Sequence, residues 1–285
     1  MLATFVIGLR EGLEAALIVG IVAAFLRQRG RSDALRLVWI GVILAVGACA
    51  LVAVGLQVFS ASLPQAQQEL LETVVASVAV AMVTYMVVWM RRNSRGLRHD
   101  LEAAATSALA SGTAWALITM AVLAVLREGF ETAVFLLAAF TASGSPIAAG
   151  IGAVLGIALA AIIGYGIYRG GVRINLGRFF RITGVVLVLV AAGLVASAIH
   201  TGHEAGLIVF GQNQVADLSW LMQPGSVISA LLTSVLGIQP RPTAIEALGW
   251  ALYLVPMLLI VLWPATLRPA APREASNEAV ATTEG

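Results

Sequence analysis

Apolar residues in this chain arrive in long unbroken runs, not in the alternations of a half-buried helix or strand. The runs fall at about 4–26, 37–59, 72–90, 112–140, 147–168, 182–200 and 247–266. A helix needs about 20 such residues to cross a hydrocarbon core. Backbone groups in lipid must be satisfied within their own segment, so each run predicts a helix. The reading is therefore all-α and polytopic, with seven transmembrane helices. The fourth run is long, and residues 101–111 predict an amphipathic lead-in to it. The connection 201–246 holds short apolar turns at 207–210 and 227–236, broken by Gly and Pro. It predicts short helices that lie on the outer face or dip into it. Residues 1–268 form one membrane domain, and 269–285, rich in Ala, Pro, Glu, Ser and Thr, predict a disordered tail. No basic region precedes the first run and no small-residue cleavage site follows it, so it reads as a retained span.

Composition agrees and narrows the class. Of 285 residues, 60% are hydrophobic and 11% charged, with a mean hydropathy of +0.94. Soluble domains run near 45–50% and about 25%. An ordinary soluble enzyme, a disordered chain and a fibrous repeat are excluded. The single cysteine, Cys49, cannot form an intrachain disulfide and reads as a small buried apolar residue. All 17 basic residues are arginine, and they alternate between connections. Clusters follow the first run (Arg27, Arg29, Arg31, Arg36), the third (Arg91, Arg92, Arg95, Arg98) and the fifth (Arg169, Arg173, Arg178, Arg181), with Arg268 and Arg273 in the tail. The intervening connections carry only Arg241. Positive charge stays inside, so the N-terminus lies outside and the C-terminus in the cytoplasm. Trp39, Trp89, Trp115 and Trp263 fall near inner ends and Trp250 near an outer end, as an interfacial belt requires. Arginines in short clusters between apolar runs do not make a nucleic-acid surface.

The informative charges are those inside the runs. The first holds Arg10-Glu11-Gly12-Leu13-Glu14 and the fourth Arg127-Glu128-Gly129-Phe130-Glu131. Within each copy the two glutamates are i and i+3 and share a face, while Arg and the second Glu are i and i+4. Like charges on adjacent turns in lipid persist only when paired, protonated or bound to a cation. Two arginines against four glutamates leave a formal −2, which suits a multivalent cation with oxygen ligands. The glycine of each copy admits a neighbouring helix. A purely structural pair of salt bridges is the competing account, and the surplus of carboxylates weighs against it. The copies lie three spans apart in helices of opposite direction. Spans 1–3 and 4–6 are thus candidate inverted repeats, followed by a seventh span. In such carriers the site sits at the repeat interface near the bilayer midplane.

These residues resemble the high-affinity iron permease family, which includes the fungal iron permeases and the bacterial Efe-type permeases. That family carries R-E-x-x-E in spans one and four of seven, here REGLE and REGFE. The resemblance implies that Glu11, Glu14, Glu128 and Glu131 bind and pass iron, with Arg10 and Arg127 in support. It implies a multi-pass permease of the plasma membrane, in bacteria the inner membrane. Iron is substrate, and no prosthetic group is expected. It also implies a separate extracytoplasmic oxidase or peroxidase and an iron-binding accessory protein. A lead-uptake branch shares the motif, so another divalent or heavy-metal cation such as lead or manganese is the alternative cargo. A membrane metal-carboxylate enzyme is the more distant one, disfavoured by the lack of a Glu-x-x-His pair and a G-x-S-x-G elbow.

Lesser candidates lie near the outer face. Glu72 resembles an acidic position of the family, and Glu69 stands beside it at the start of span three. His200, His203 and Glu204 at the end of span six form a candidate cation entrance, against the dipole-favoured placement of histidines at a helix C-terminus. Asp217 and Glu246 read as solvated, and His99 as a cytoplasmic surface residue. Met82, Met86, Met90, Met222 and Met257 read as packing, as do the glycines of span five, Gly150, Gly152, Gly156, Gly164 and Gly166.

Overall fold

A computed structural model describes residues 1–28, 32–93, 114–143, 145–169, 175–211, 213–222 and 236–262, with Gly30, Ser229, Leu232 and Thr233 between them. The lead-in at 101–111, His99, Trp263 and the tail lie outside the described residues. Seven long helices follow the seven apolar runs: α1 (Leu2–Gln28), α2 (Ser32–Ala61), α3 (Gln65–Asn93), α4 (Ala114–Thr141), α5 (Pro146–Tyr168), α6 (Leu176–Glu204) and α7 (Ala244–Leu262). Among the described residues there is no strand, only an isolated bridge between Gln214 and Thr243. Five helices are long and apolar enough to cross a membrane. The two that fall outside this group, α1 and α4, are the two that carry the charged pentads.

Helix α1 packs most extensively on α5, α3 on α6, and α2 on α4; α1 also crosses α4, and α7 lies against α6. Exchanging helices 1–3 for 4–6 leaves the main seams in place: α1·α5 becomes α4·α2, while α1·α4 and α3·α6 map onto themselves. The largest apolar cluster joins Ala3 and Ile7 of α1, Phe135 and Ala138 of α4, and the middles of α3, α6 and α7. A second joins Val19, Val22 and Leu26 of α1 to Val38 and Ala45 of α2 and Ile118, Ala121 and Val125 of α4.

Small residues make the closest seams. Gly152 and Gly156 of α5 press on the backbone of α1 at Met1 and Phe5, and Gly164 seats Ala16. No apolar driving force separates helix from lipid, so close backbone approach and van der Waals contact hold such helices together. The connection into α7 also reaches inward. Gly237, with φ +60°, lies against Gly193. Gly193 stands eleven residues before the end of α6, a rise of about 16 Å. The Leu236 carbonyl accepts from Trp250 Nε1 at 2.8 Å. Trp39 is exposed on α2.

Gly156→Ala is expected to push α5 off α1, since the added Cβ meets the Phe5 carbonyl and the Leu9 amide. Overpacking of this kind costs about 1–3 kcal/mol. Gly55→Ala on α2 has open space and should be neutral or slightly stabilising. Thermal unfolding of both variants in detergent checks this; equal melting would contradict the seam.

Candidate metal-binding site

Helices α1 and α4 cross with their pentads facing. Arg10 is 1% exposed and Glu11 0%, a burial that charged groups survive only when paired. Arg10 Nη1 donates to Glu11 Oε1 at 3.2 Å. Its Nη2 lies 3.2 Å from Glu14 Oε1, an ion pair without hydrogen-bond alignment. The same Nη2 points at Met90 Sδ of α3, 3.4 Å away. Arg127 Nε donates to Glu131 Oε1 at 2.9 Å, yet this arginine is 60% exposed. The two pentads match in sequence but differ in setting. One guanidinium is locked inside the bundle by two carboxylates and a thioether, and the other is tied to one carboxylate at the surface.

Three carboxylates converge. One oxygen each of Glu11, Glu128 and Glu131 lies within 4.8 Å of the others. Glu11 Oε2 and Glu128 Oε2 are buried and without a hydrogen-bond partner among the described residues. Orphaned buried acceptors are costly, and a cation between them would satisfy both. Glu14, expected from sequence in the same set, stands apart from this trio in the hold of Arg10. Three residues fall about 60° short of a whole number of turns, and Arg10 draws Glu14 to that side.

Each pentad glycine seats a small residue of its neighbour. A Cβ on Gly12 would lie 2.8 Å from Ala160 Cβ of α5, and one on Gly129 2.7 Å from Cys49 Sγ of α2. Cys49 is half-buried, and its thiol donates to the Leu126 carbonyl at 3.7 Å. A cleft of ≈ 750 Å³ between α1, α2, α4 and α5 has Glu11 and Glu128 in its wall.

The lesser candidates form a separate group. His200 Nε2 lies 3.4 Å from Glu204 Oε1, and its Nδ1 lies 2.9 Å from Glu246 Oε1. Thr73 of α3 and Thr201 of α6 share a hydrogen bond of 2.7 Å, which joins α3 near its start to α6 near its end. Glu72 accepts from Gln68 at 3.3 Å and Glu69 from Gln65 at 2.9 Å, each within its own helix. His203 Nδ1 lies 2.6 Å from the Ile208 carbonyl, a contact that ties down the chain leaving α6. Asp217 is exposed, 3.8 Å from Arg241. Glu246 is not solvated as its sequence position suggested: it is 4% exposed. Thr243 and Glu246 form a capping box, with Thr243 N donating to Glu246 Oε2 at 3.0 Å, and the remaining oxygen meets His200. The T-x-x-E spacing ahead of an apolar run was the available signal. Met90 gave none, because a methionine ending an apolar run looks like any packing residue; Met86, Met90, Met222 and Met257 are all buried.

An all-helical fold with several membrane-length helices defines a multi-pass membrane protein, and buried carboxylates meet at one of its helix crossings. Residues 1–268 match the iron permease FTR1 family, and the chain belongs to it. Its relatives include the "Ferrous iron permease EfeU" of Shigella sonnei (strain Ss046), 41% identical over 277 residues, covering 96% of this chain and 100% of the relative. The protein of the same name from Yersinia pestis is 40% identical over 283 residues, covering 99% and 98%. No solved structure matches. Family and relatives are iron permeases, transporters and not enzymes, which removes the metal-carboxylate enzyme as an alternative.

The unequal arginines give a test. Arg10→Leu leaves two buried carboxylates without their cation and should destabilise by about 3–5 kcal/mol. Arg127→Leu breaks an exposed pair and should cost less than about 1 kcal/mol. Thermal unfolding and yield of folded protein in detergent distinguish them. Equal losses would mean that the buried guanidinium has no special place.

Proposed function

We propose that this protein carries ferrous iron inward across the membrane, through a site that Glu11, Glu128 and Glu131 form between α1 and α4. The observation that supports this most is the convergence of three carboxylates from two helices, with two buried oxygens lacking partners. The names of the relatives supply the metal. In this reading all seven helices span, the N-terminus lies outside, and helices 1–3 and 4–6 are inverted repeats. The alternating arginines and the exchange of packing seams support it. The pentads then meet near mid-depth, where repeat interfaces place substrate.

The chemistry follows from the charges. Four glutamates and two arginines leave a formal −2, which one divalent ion neutralises. Carboxylate oxygens hold such an ion without the tight cage that would prevent release. Arg127 steadies Glu131 while Arg10 holds Glu11 and Glu14. Glu14 follows Glu11 one turn further along α1, so it is the next ligand on the inward path. Transfer to it needs Arg10 to yield, and rocking of α1 against α4 supplies that motion. At the outer face His200, Glu204 and Glu72 gather the cation, with His203 as a framework residue. A separate extracytoplasmic oxidase or peroxidase and an iron-binding accessory protein complete the pathway implied by the family resemblance. An all-oxygen ligand set also suits manganese, so another divalent or heavy-metal cargo, such as manganese or lead, is the second reading.

Glu11→Gln, Glu128→Gln and Glu131→Gln should each lower radio-iron uptake by roughly tenfold or more, the scale on which even outer-shell changes weaken metal sites. The measurement uses the chain alone in liposomes, with ferrous and ferric iron compared and Mn, Zn and Pb as competitors. Undiminished uptake in the three variants would overturn the site, and stronger competition by Mn or Pb than by ferrous iron would overturn the cargo.

A further inference from the structure

The cleft beside the carboxylates is far larger than the voids that packed interiors leave. Its origin lies in the packing order. α3 and α6 close one side of the α1–α4 crossing, but on the other side α2 keeps to α4 and α5 keeps to α1. Among the described residues α2 and α5 share no substantial seam. The space between them is the ≈ 750 Å³ cleft. Val46, Val54, Ile157 and Tyr165 line it and are nonetheless exposed, so it opens sideways, toward the bilayer.

Its walls are chiefly alanine, glycine and valine; Glu11 and Glu128 lie in them, and on α4 the lining continues past Glu128 through Thr132 and Ala133 to Leu136 at one end. Along α1 the lining runs from Glu11 to Ala23, twelve residues and about 18 Å of rise. That is close to one leaflet of a ~30 Å hydrocarbon core. Trp39, Tyr165 and Tyr168 mark the other end. Arginines stand around that end. Arg27 Nη1 donates to Tyr168 Oη at 3.3 Å, and the Arg169 guanidinium stacks 5.2 Å over the Tyr165 ring. Arg36 is exposed on α2, one turn before Trp39. Guanidinium forks match phosphate oxygens in geometry as well as charge. A long apolar slot that opens to lipid and ends in cations has the shape and charge of a phospholipid.

We propose that this cleft is a lipid site. It takes an anionic phospholipid from the leaflet on the arginine side. One acyl chain fills the slot, and the phosphate is held by Arg27, Arg169 and Arg36. The chain end then lies against Glu11 and Glu128 and keeps water from reaching them sideways. The proposal does not depend on which metal is carried or on whether the carboxylates bind one.

The test uses the full-length protein in phosphatidylcholine nanodiscs with a trace of phosphatidylglycerol bearing a photoactivatable acyl chain, and maps the cross-links by mass spectrometry. Labelling should concentrate on the cleft walls, around Ala16, Ala50 and Ala53. Unlabelled phosphatidylglycerol should displace the label far better than phosphatidylcholine. An arginine near a bilayer surface contributes about fivefold to anionic-lipid binding, so Arg27→Gln with Arg169→Gln should erase roughly a 25-fold preference. Ala53→Phe, which fills the slot, should remove cleft labelling and spare the lipid-facing residues Ile43 and Leu51. Three results would overturn the proposal: label spread evenly over exposed faces, equal displacement by both lipids, or a second copy of the chain cross-linked in the cleft.

Discussion

Everything in this structure turns on how carboxylates are held inside a helix bundle. Arg10, almost fully buried, pairs with Glu11 and Glu14 and rests against Met90. Neither charge type is tolerable there alone, because desolvation of an unpaired ion outweighs any packing gain. Together they leave surplus negative charge beside Glu128 and Glu131. The surplus is unfavourable for folding and useful for a cation carrier. A site that satisfied every oxygen by itself would have nothing to offer an ion.

Holding that arrangement requires helices that approach closely without bulky side chains. Gly12 against Ala160 and Gly129 against Cys49 supply this at the pentads themselves. Gly152, Gly156 and Gly164 continue the α1–α5 seam along its length. Packing therefore sets the positions of the glutamates, and the glutamates in turn fix which helices must sit centrally. α1 and α4 touch most of the other helices, whereas α2 shows a largely apolar outer face. The same order, with α2 and α5 held apart, opens the apolar cleft beside the site.

Much of this was legible in the sequence. Seven apolar runs became seven helices, because length and hydropathy leave a lipid-solvated chain few options. The repeated pentads stood out because charge is scarce, and i, i+4 spacing was enough to foresee both Arg–Glu pairs. What escaped was whatever depends on rotation between helices. Glu14 shares a helix face with Glu11 by spacing, yet lies outside the converging trio. The partners of Glu246 and Met90 come from other helices, His200 on α6 and Arg10 on α1. No periodicity within one segment encodes such a meeting. The inequality of Arg10 and Arg127 is equally invisible in two near-identical pentads, since it depends on neighbours from other helices, such as Met90 of α3 beside Arg10.

The central claim is that the transported ion sits between α1 and α4. An iron-edge anomalous difference map from crystals of the full chain grown with ferrous iron tests it directly. The expected result is a peak bounded by the carboxylates of Glu11, Glu128 and Glu131. A peak confined to the His200–Glu204 region, with nothing at the crossing, would contradict it.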